Sequence, residues 1–267
     1  MSKEFTPVEK EIIRKLDIVN HELKENGVST DIDSTEVKSQ DAALRQYNDK
    51  TGQARKLCEL TDRYVMVEWL KEYGYVDPIS VAIRIWNNPE EFSKLEPEDG
   101  ALILSKYLFL SGVDLHRFTA RPGWPEIKNS TLNWYQKTMP WVVDQGLIHI
   151  QDGDSINPRF KYANIPTYAK YHFDDATEEL EELSKLGVVG VLIPQPWNIH
   201  YKANNQMILT FSKAMEQGIP SLEMSNFDFR KMPKLIQAYF VLSDHILRSK
   251  GYCESYNNVI DTAPSVT

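Results

Sequence analysis

The sequence predicts an α+β protein: a helical region over residues 1–94, one antiparallel sheet held between helices over residues 95–251, and a frayed tail at 252–267. Three observations carry this. Apolar residues recur at helical spacing through much of the first 94 positions. Strand-like segments gather after residue 112, between further helical stretches. Finally, "SKLGVVGVLIPQPWNIHYKANNQMILTFS" (184–212) reads as a helix running into Gly187, a bare apolar strand, a polar turn and a second strand.

The first helix is well marked. Thr6 can cap it, Pro7 suits the first helical position, and Glu9 completes a capping box. Val8, Ile12, Leu16, Val19 and Leu23 form one stripe, and Gly27 stops the run. Such a seam suits a short coiled coil or packing onto its own domain. The following "VSTDIDSTEVKSQD" is polar and poor in apolar residues, and reads as a linker. Residues 54–73 are helical in pattern, Gly74 ends them, and Asp77–Pro78 opens a second helix over "ISVAIRIW". Helix, glycine turn and helix invite a DNA-reading motif, but the second helix offers a single basic residue, Arg84. Packing or dimerisation explains it better.

A helix follows over "PEDGALILSKYLFLSG", with acids in its first turn, then a strand at "VDLHRFT" and a turn at "ARPGWPE". Residues 130–148 hold aromatics and a helix, and "YAKYHF" reads as another strand. Asp174 or Asp175 can cap a helix that buries Ala176, Leu180, Leu183 and Leu186 and solvates its glutamates. "VVGVLIP" and "MILTFS" then pair as antiparallel strands around an Asn204–Asn205 turn. A long helix over about 229–249 closes the fold, and Gly251 ends it.

Composition narrows the function classes. The chain of 267 residues can bury a sizeable core, and its net charge of −8 disfavours direct nucleic-acid binding, which needs clustered Lys or Arg. Cys58 and Cys253 lie far apart without metal-ligand spacing and read as free thiols of a reducing compartment. No secretion leader opens the sequence and no apolar run approaches a bilayer span, so a soluble cytoplasmic protein is expected.

Four segments, in order, resemble the autoinducer-binding domain of LuxR-type quorum-sensing receptors over about residues 95–250. They are "LSKYLFLSGVDLHRF", "MPWVVDQGL…SINPRF", "SKLGVVGVLIP" and "NNQMILTFS" with the apolar helix after it. The resemblance implies an α-β-α sandwich with a five-stranded antiparallel sheet and an acyl-homoserine lactone, or a related signal, between sheet and helices. It places Trp141 where the family tryptophan donates its indole N–H to the lactone carbonyl, and Asn157 where an aspartate accepts the acyl-amide N–H. Tyr135 fills the place of an earlier aromatic, and Gln145 stands where the family has a tyrosine. No C-terminal DNA-binding domain is expected.

The aromatic group of Trp124, Trp134, Tyr135, Trp141 and Trp197 suits either a cavity wall or an ordinary core. The enzyme alternative rests on "YHFDD" (171–175), whose His-x-Asp-Asp could ligate a metal; helix capping by Asp174 and Asp175 is the competing account. No phosphate-binding glycine loop, Gly-x-Ser-x-Gly elbow or spaced Cys-His pair occurs. The sequence therefore points to a non-enzymatic regulator of quorum-sensing type. Its expected ligand residues are Trp141, Asn157, Tyr135 and Trp134, with no metal, no cofactor and no membrane contact. Its expected partner is a second copy or another regulator. An adaptor with a filled core, or a transcription regulator reading DNA through its N-terminal helices, is the alternative.

Overall fold

Thr6 caps α1 (Pro7–Asn26) as its sequence predicts: Thr6 Oγ1 accepts from the Glu9 N–H at 3.2 Å, and the Glu9 carboxylate accepts from the Thr6 N–H at 2.8 Å. The computed structural model describes residues 5–62, 64–216 and 231–252. Helix α1 stops at Gly27, whose φ of 75° and ψ of 150° suit glycine alone. A Cβ there would lie 2.0 Å from the Tyr168 carbonyl oxygen, a backbone atom with little room to move. Gly27→Ala should therefore cost about 3 kcal/mol or more of stability. Gly52→Ala, at φ 68° with open space around it, should cost about 1 kcal/mol. Urea midpoints at unchanged slope measure both; equal losses would dismiss the carbonyl clash.

Immediately after Gly27 comes β1 (Val28–Asp31), inside the segment whose polarity suggested a linker. It is the centre of the sheet. Val28 pairs with Leu115 of β2 (Leu115–Thr119) on one side and with Tyr171 of β4 (Tyr171–Asp174) on the other. With β3 (Ile148–Ile150), β5 (Val189–Leu192) and β6 (Ile208–Leu209) the order is β3-β2-β1-β4-β5-β6, and every pairing is parallel.

The protein is thus α/β, and the expected antiparallel five-stranded sandwich is overturned. Two physical reasons account for the difference. "VVGVLIP" is apolar along its whole length because parallel strands are buried on both faces; the same run had been assigned to an antiparallel sandwich. The Asn204–Asn205 segment does turn, but Asn205 donates to Ser184 Oγ at 2.7 Å and accepts from the Met207 N–H at 2.8 Å. That fastens the 193–207 connection to a helix end and lets β6 enter parallel to β5, with Gly190 beside Ile208. Likewise β3 begins at the last residue of the stretch read as helical, 130–148, and had not been expected as a strand.

Between β1 and β2 the chain makes a helical excursion: α2 (Ser39–Thr51), α3 (Val65–Tyr73), α4 (Pro78–Trp86) and α5 (Pro89–Phe92). Tyr47 of α2, Trp69 and Leu70 of α3 and Ile85 of α4 form a core of their own. The remaining helices are α6 (Ala101–Leu110), α7 (Pro125–Thr138), α8 (Pro140–Gln145), α9 (Arg159–Tyr168), α10 (Thr177–Lys185), α11 (Phe211–Glu216) and α12 (Lys234–Ser249).

Side-chain alternation assigns two layers. Val28, Leu115, Phe173 and Val191 face α1, α6, α7 and α12. Phe118, Gly190 and Leu192 face α9 and α10. A Cβ on Gly190 would meet Leu180 Cδ2 at 2.9 Å, so the absent side chain lets α10 lie close on the sheet. Among the described residues no helix is long and apolar enough to cross a membrane. Cys58 is an exposed free thiol; Cys253 and the expected tail, from residue 253 on, lie outside the described residues.

Candidate functional site

From β1 the sheet grows through β2 and β3 in one direction and through β4, β5 and β6 in the other. The reversal falls between β1 and β4, where open α/β sheets place ligands beyond the carboxyl ends of their strands. Asp31 ends β1, Thr119 ends β2 and Asp174 ends β4. Asp33, Arg121 and Asp175 follow within two residues of those ends.

Lys161, in the first turn of α9, reaches into this crevice and is almost fully buried. Its Nζ lies 2.6 Å from Asp31 Oδ1 and 3.0 Å from Asp174 Oδ2, and it also pairs with Glu179 of α10. Asp174 accepts from the Ala176 N–H at 2.9 Å and sits 3.1 Å from His172 Nε2, whose Nδ1 is 2.8 Å from Ser29 Oγ. One ammonium therefore faces three buried carboxylates. Burial raises the Asp31 carboxyl well above the usual range, with Asp174 and Glu179 adding to the effect and Lys161 opposing it. Burial works against the charge on Lys161, but Asp174, Asp31 and Glu179 outweigh it and hold the ammonium well above its ordinary value. Surplus buried acid of this kind is poor material for stability, and it makes the crevice the candidate functional site.

Asp33 is held differently. Arg121 grips it with Nε at 3.0 Å from both oxygens and Nη2 at 2.6 Å, and Thr119 Oγ1 donates at 3.1 Å. Burial pushes this carboxyl up, but Arg121 and Thr119 outweigh it and leave it below the usual range. The turn that carries Asp33 is tight. Ser34 has φ 58°, the one positive value outside glycine among the described residues, and its carbonyl accepts from Gln195 Nε2 at 2.7 Å.

Above these groups lies a cavity of about 340 Å³. Its floor includes Asp31, Asp33, Lys161, Asp175 and Glu179; its roof comes from the α2–α4 excursion and from Ile156 and Pro158 before α9. Asp31, Asp174 and Asp175 can each offer a carboxylate oxygen within 4.8 Å of the others. An all-oxygen donor set of this kind suits a hard cation such as Mg²⁺, Mn²⁺ or Ca²⁺, and Mg²⁺ is commonly bound by one or two carboxylates together with a substrate phosphate. The Asp175 carboxylate is positioned by Trp197 Nε1 at 3.0 Å, and its carbonyl by Asn198 Nδ2 at 2.8 Å.

The residues expected from the sequence to bind a signal molecule lie elsewhere. Tyr135 and Trp141 are brought into one buried network on the α7 side of the sheet. The Tyr135 hydroxyl donates to Glu36 Oε2 at 2.6 Å, Arg117 joins Glu36 to Ser105, and Trp141 Nε1 donates to Ser105 Oγ at 3.1 Å. Trp134 is buried nearby with its indole N–H on the Leu95 carbonyl at 2.8 Å. Asn157 accepts from the Arg159 N–H at 3.2 Å, next to Ile156 and Pro158 but not itself lining the cavity.

Of the carboxylates at the strand ends, only Asp174 and Asp175 had drawn attention in the sequence, as "HFDD". Asp31, Asp33, Thr119 and Lys161 had not, and Glu179, expected among the solvated glutamates of its helix, is buried. The signal available was positional: an Asp-x-Asp directly after a short strand, a Thr-x-Arg after another and an Asp-Asp after a third. That pattern becomes informative only once those strands are known to be parallel neighbours. Compared with known protein families and with curated proteins, the chain matches none.

Proposed function

We propose that this chain is a divalent-cation-dependent phosphohydrolase that cleaves phosphate monoesters through a covalent phosphoryl intermediate on Asp31. The observation that carries the reading is the convergence of Asp31, Asp33, Lys161 and Asp175 on the floor of one cavity at the sheet's reversal point, with Asp174 grouped against Asp31 and Asp175 beneath it. An Asp carboxylate is a known nucleophile for phosphoryl groups, and phosphoryl transfer asks of a protein mainly positioning and charge stabilisation.

In the first step an Asp31 oxygen forms a bond to phosphorus as the phosphorus–oxygen bond to the alcohol breaks. The leaving oxygen keeps the electron pair and takes a proton from solvent, since Arg121 and Thr119 hold Asp33 as a carboxylate. In the second, water attacks the same phosphorus, Asp33 accepts its proton, and the bond to Asp31 breaks, releasing phosphate and restoring the carboxylate. Lys161 orients Asp31 and offsets charge on the phosphoryl oxygens, while Arg121 and Thr119 fix Asp33. A cation held by Asp31, Asp174 and Asp175 would neutralise the phosphoryl group's negative charge. A cytoplasmic location suits this role.

Assay of chelator-stripped protein for phosphate release from acetyl phosphate and p-nitrophenyl phosphate tests the reading. Release should appear with Mg²⁺ and vanish in EDTA. Mg²⁺ at a hundredfold excess over its dissociation constant should also stabilise the fold by about 2.7 kcal/mol. No release and no thermal shift with Mg²⁺, Mn²⁺ or Ca²⁺ would sink it. A second reading, a ligand-responsive regulator holding a small amphipathic molecule in the same cavity, draws on the apolar roof; binding without phosphate release would favour it.

A further inference from the structure

The roof of the cavity is unlike its floor. Helix α4 is apolar on opposite sides: Ile85 is buried against the excursion's own core, while Ile79 and Ile83, one turn apart, line the cavity at 60% and 37% exposure. An apolar helix face is normally covered by another element or a partner. Tyr64, just before α3, and Ile156, before α9, repeat the pattern at 66% and 47% exposure. Four large apolar side chains from three separate segments thus meet over the carboxylate floor. Single exposed apolar residues need no explanation, but a convergent set beside a reactive centre does.

Charge points the same way. Among the described residues lining the cavity the cations are Lys161 and Arg121, and both are already ion-paired with carboxylates. A ligand with a second phosphate or a carboxylate would meet acid without a matching base. The volume of about 340 Å³ sits at the low end for small-molecule sites, enough for a phosphoryl group and one compact substituent.

Resting on the phosphohydrolase reading, we infer that the substrate is the phosphate monoester of a compact apolar alcohol, aromatic or branched aliphatic, whose hydrocarbon part is selected by Ile79, Ile83, Tyr64 and Ile156. Sugar and nucleotide esters, which need paired hydrogen-bonding groups, are poorly served by this wall.

The test compares 2-phenylethyl phosphate with glycerol 3-phosphate, both esters of primary alcohols, alongside acetyl phosphate, all with Mg²⁺. Burial of the phenyl group should favour 2-phenylethyl phosphate by about 30-fold in kcat/KM. Ile83→Asp should lower the ratio of 2-phenylethyl phosphate to acetyl phosphate turnover by about tenfold. Ile79→Asp, at a more exposed position, repeats the measurement should the first variant fold poorly. Equal use of the two alkyl esters, or preference for glycerol 3-phosphate, overturns the inference and leaves the phosphohydrolase standing. Release from none of the three substrates overturns both.

Discussion

Asp31→Asn should abolish phosphate release, by about 10⁴-fold or more, without lowering thermal stability. An amide oxygen is too weak a nucleophile to form the covalent intermediate, while the side chain keeps its size. Stability should hold or rise, because the variant removes one of three carboxylates crowding a single ammonium, and Lys161 keeps Asp174 and Glu179. Asp33→Asn offers the contrast. It retains the nucleophile and loses the general base of the second step, a deficit of about 10²–10⁴. It should also leave phosphoryl groups trapped on Asp31, visible by mass spectrometry of the intact protein. Phosphate release in Asp31→Asn that tracks only its folded fraction would assign the residue to structure.

Lys161→Met should destabilise the protein by about 3–5 kcal/mol in EDTA, since it leaves Asp31, Asp174 and Glu179 buried together without the ammonium that pairs with all three. Methionine fills much of the lysine stem's space, so the loss reports charge more than volume. A divalent cation on Asp31, Asp174 and Asp175 supplies part of the missing positive charge. The gap between urea midpoints in Mg²⁺ and in EDTA should therefore widen in the variant relative to the native chain. A variant as stable as the native chain in EDTA would mean that the carboxylates repel one another little.

How much of this was legible beforehand differs by element. The cap of α1, its stop at Gly27, the strands near 115, 171 and 189 and the long final helix all follow from local rules, because local spacing and capping determine them. Direction of pairing was not legible. A continuous apolar run such as "VVGVLIP" serves either sheet type, and the decision belongs to crossovers far away in the chain. Strand β1 was hidden by its own polarity: Ser29, Thr30 and Asp31 are polar yet almost fully buried, against every periodicity rule for a core strand. With β1 taken for a linker, Asp31 and Asp33 had no strand end to stand on, and the aspartates of "HFDD" could be explained as caps. That explanation fails: the N-cap of α10 is Ala176, with no side-chain cap, and Asp174 accepts from the Ala176 N–H ahead of the helix.

The polarity of β1 also bears on how the molecule is made. Its two neighbours arrive late: β2 at residue 115 and β4 at residue 171. At ribosomal speeds of about 5–20 residues per second, the emerging segment waits on the order of ten seconds for its second partner. A valine-rich strand left open that long would invite association between nascent chains. "VSTDID", carrying two carboxylates and three hydroxyl or acidic side chains in a row, can wait in water. The residues proposed to hold a phosphoryl group should thus also spare the newborn polypeptide from aggregation.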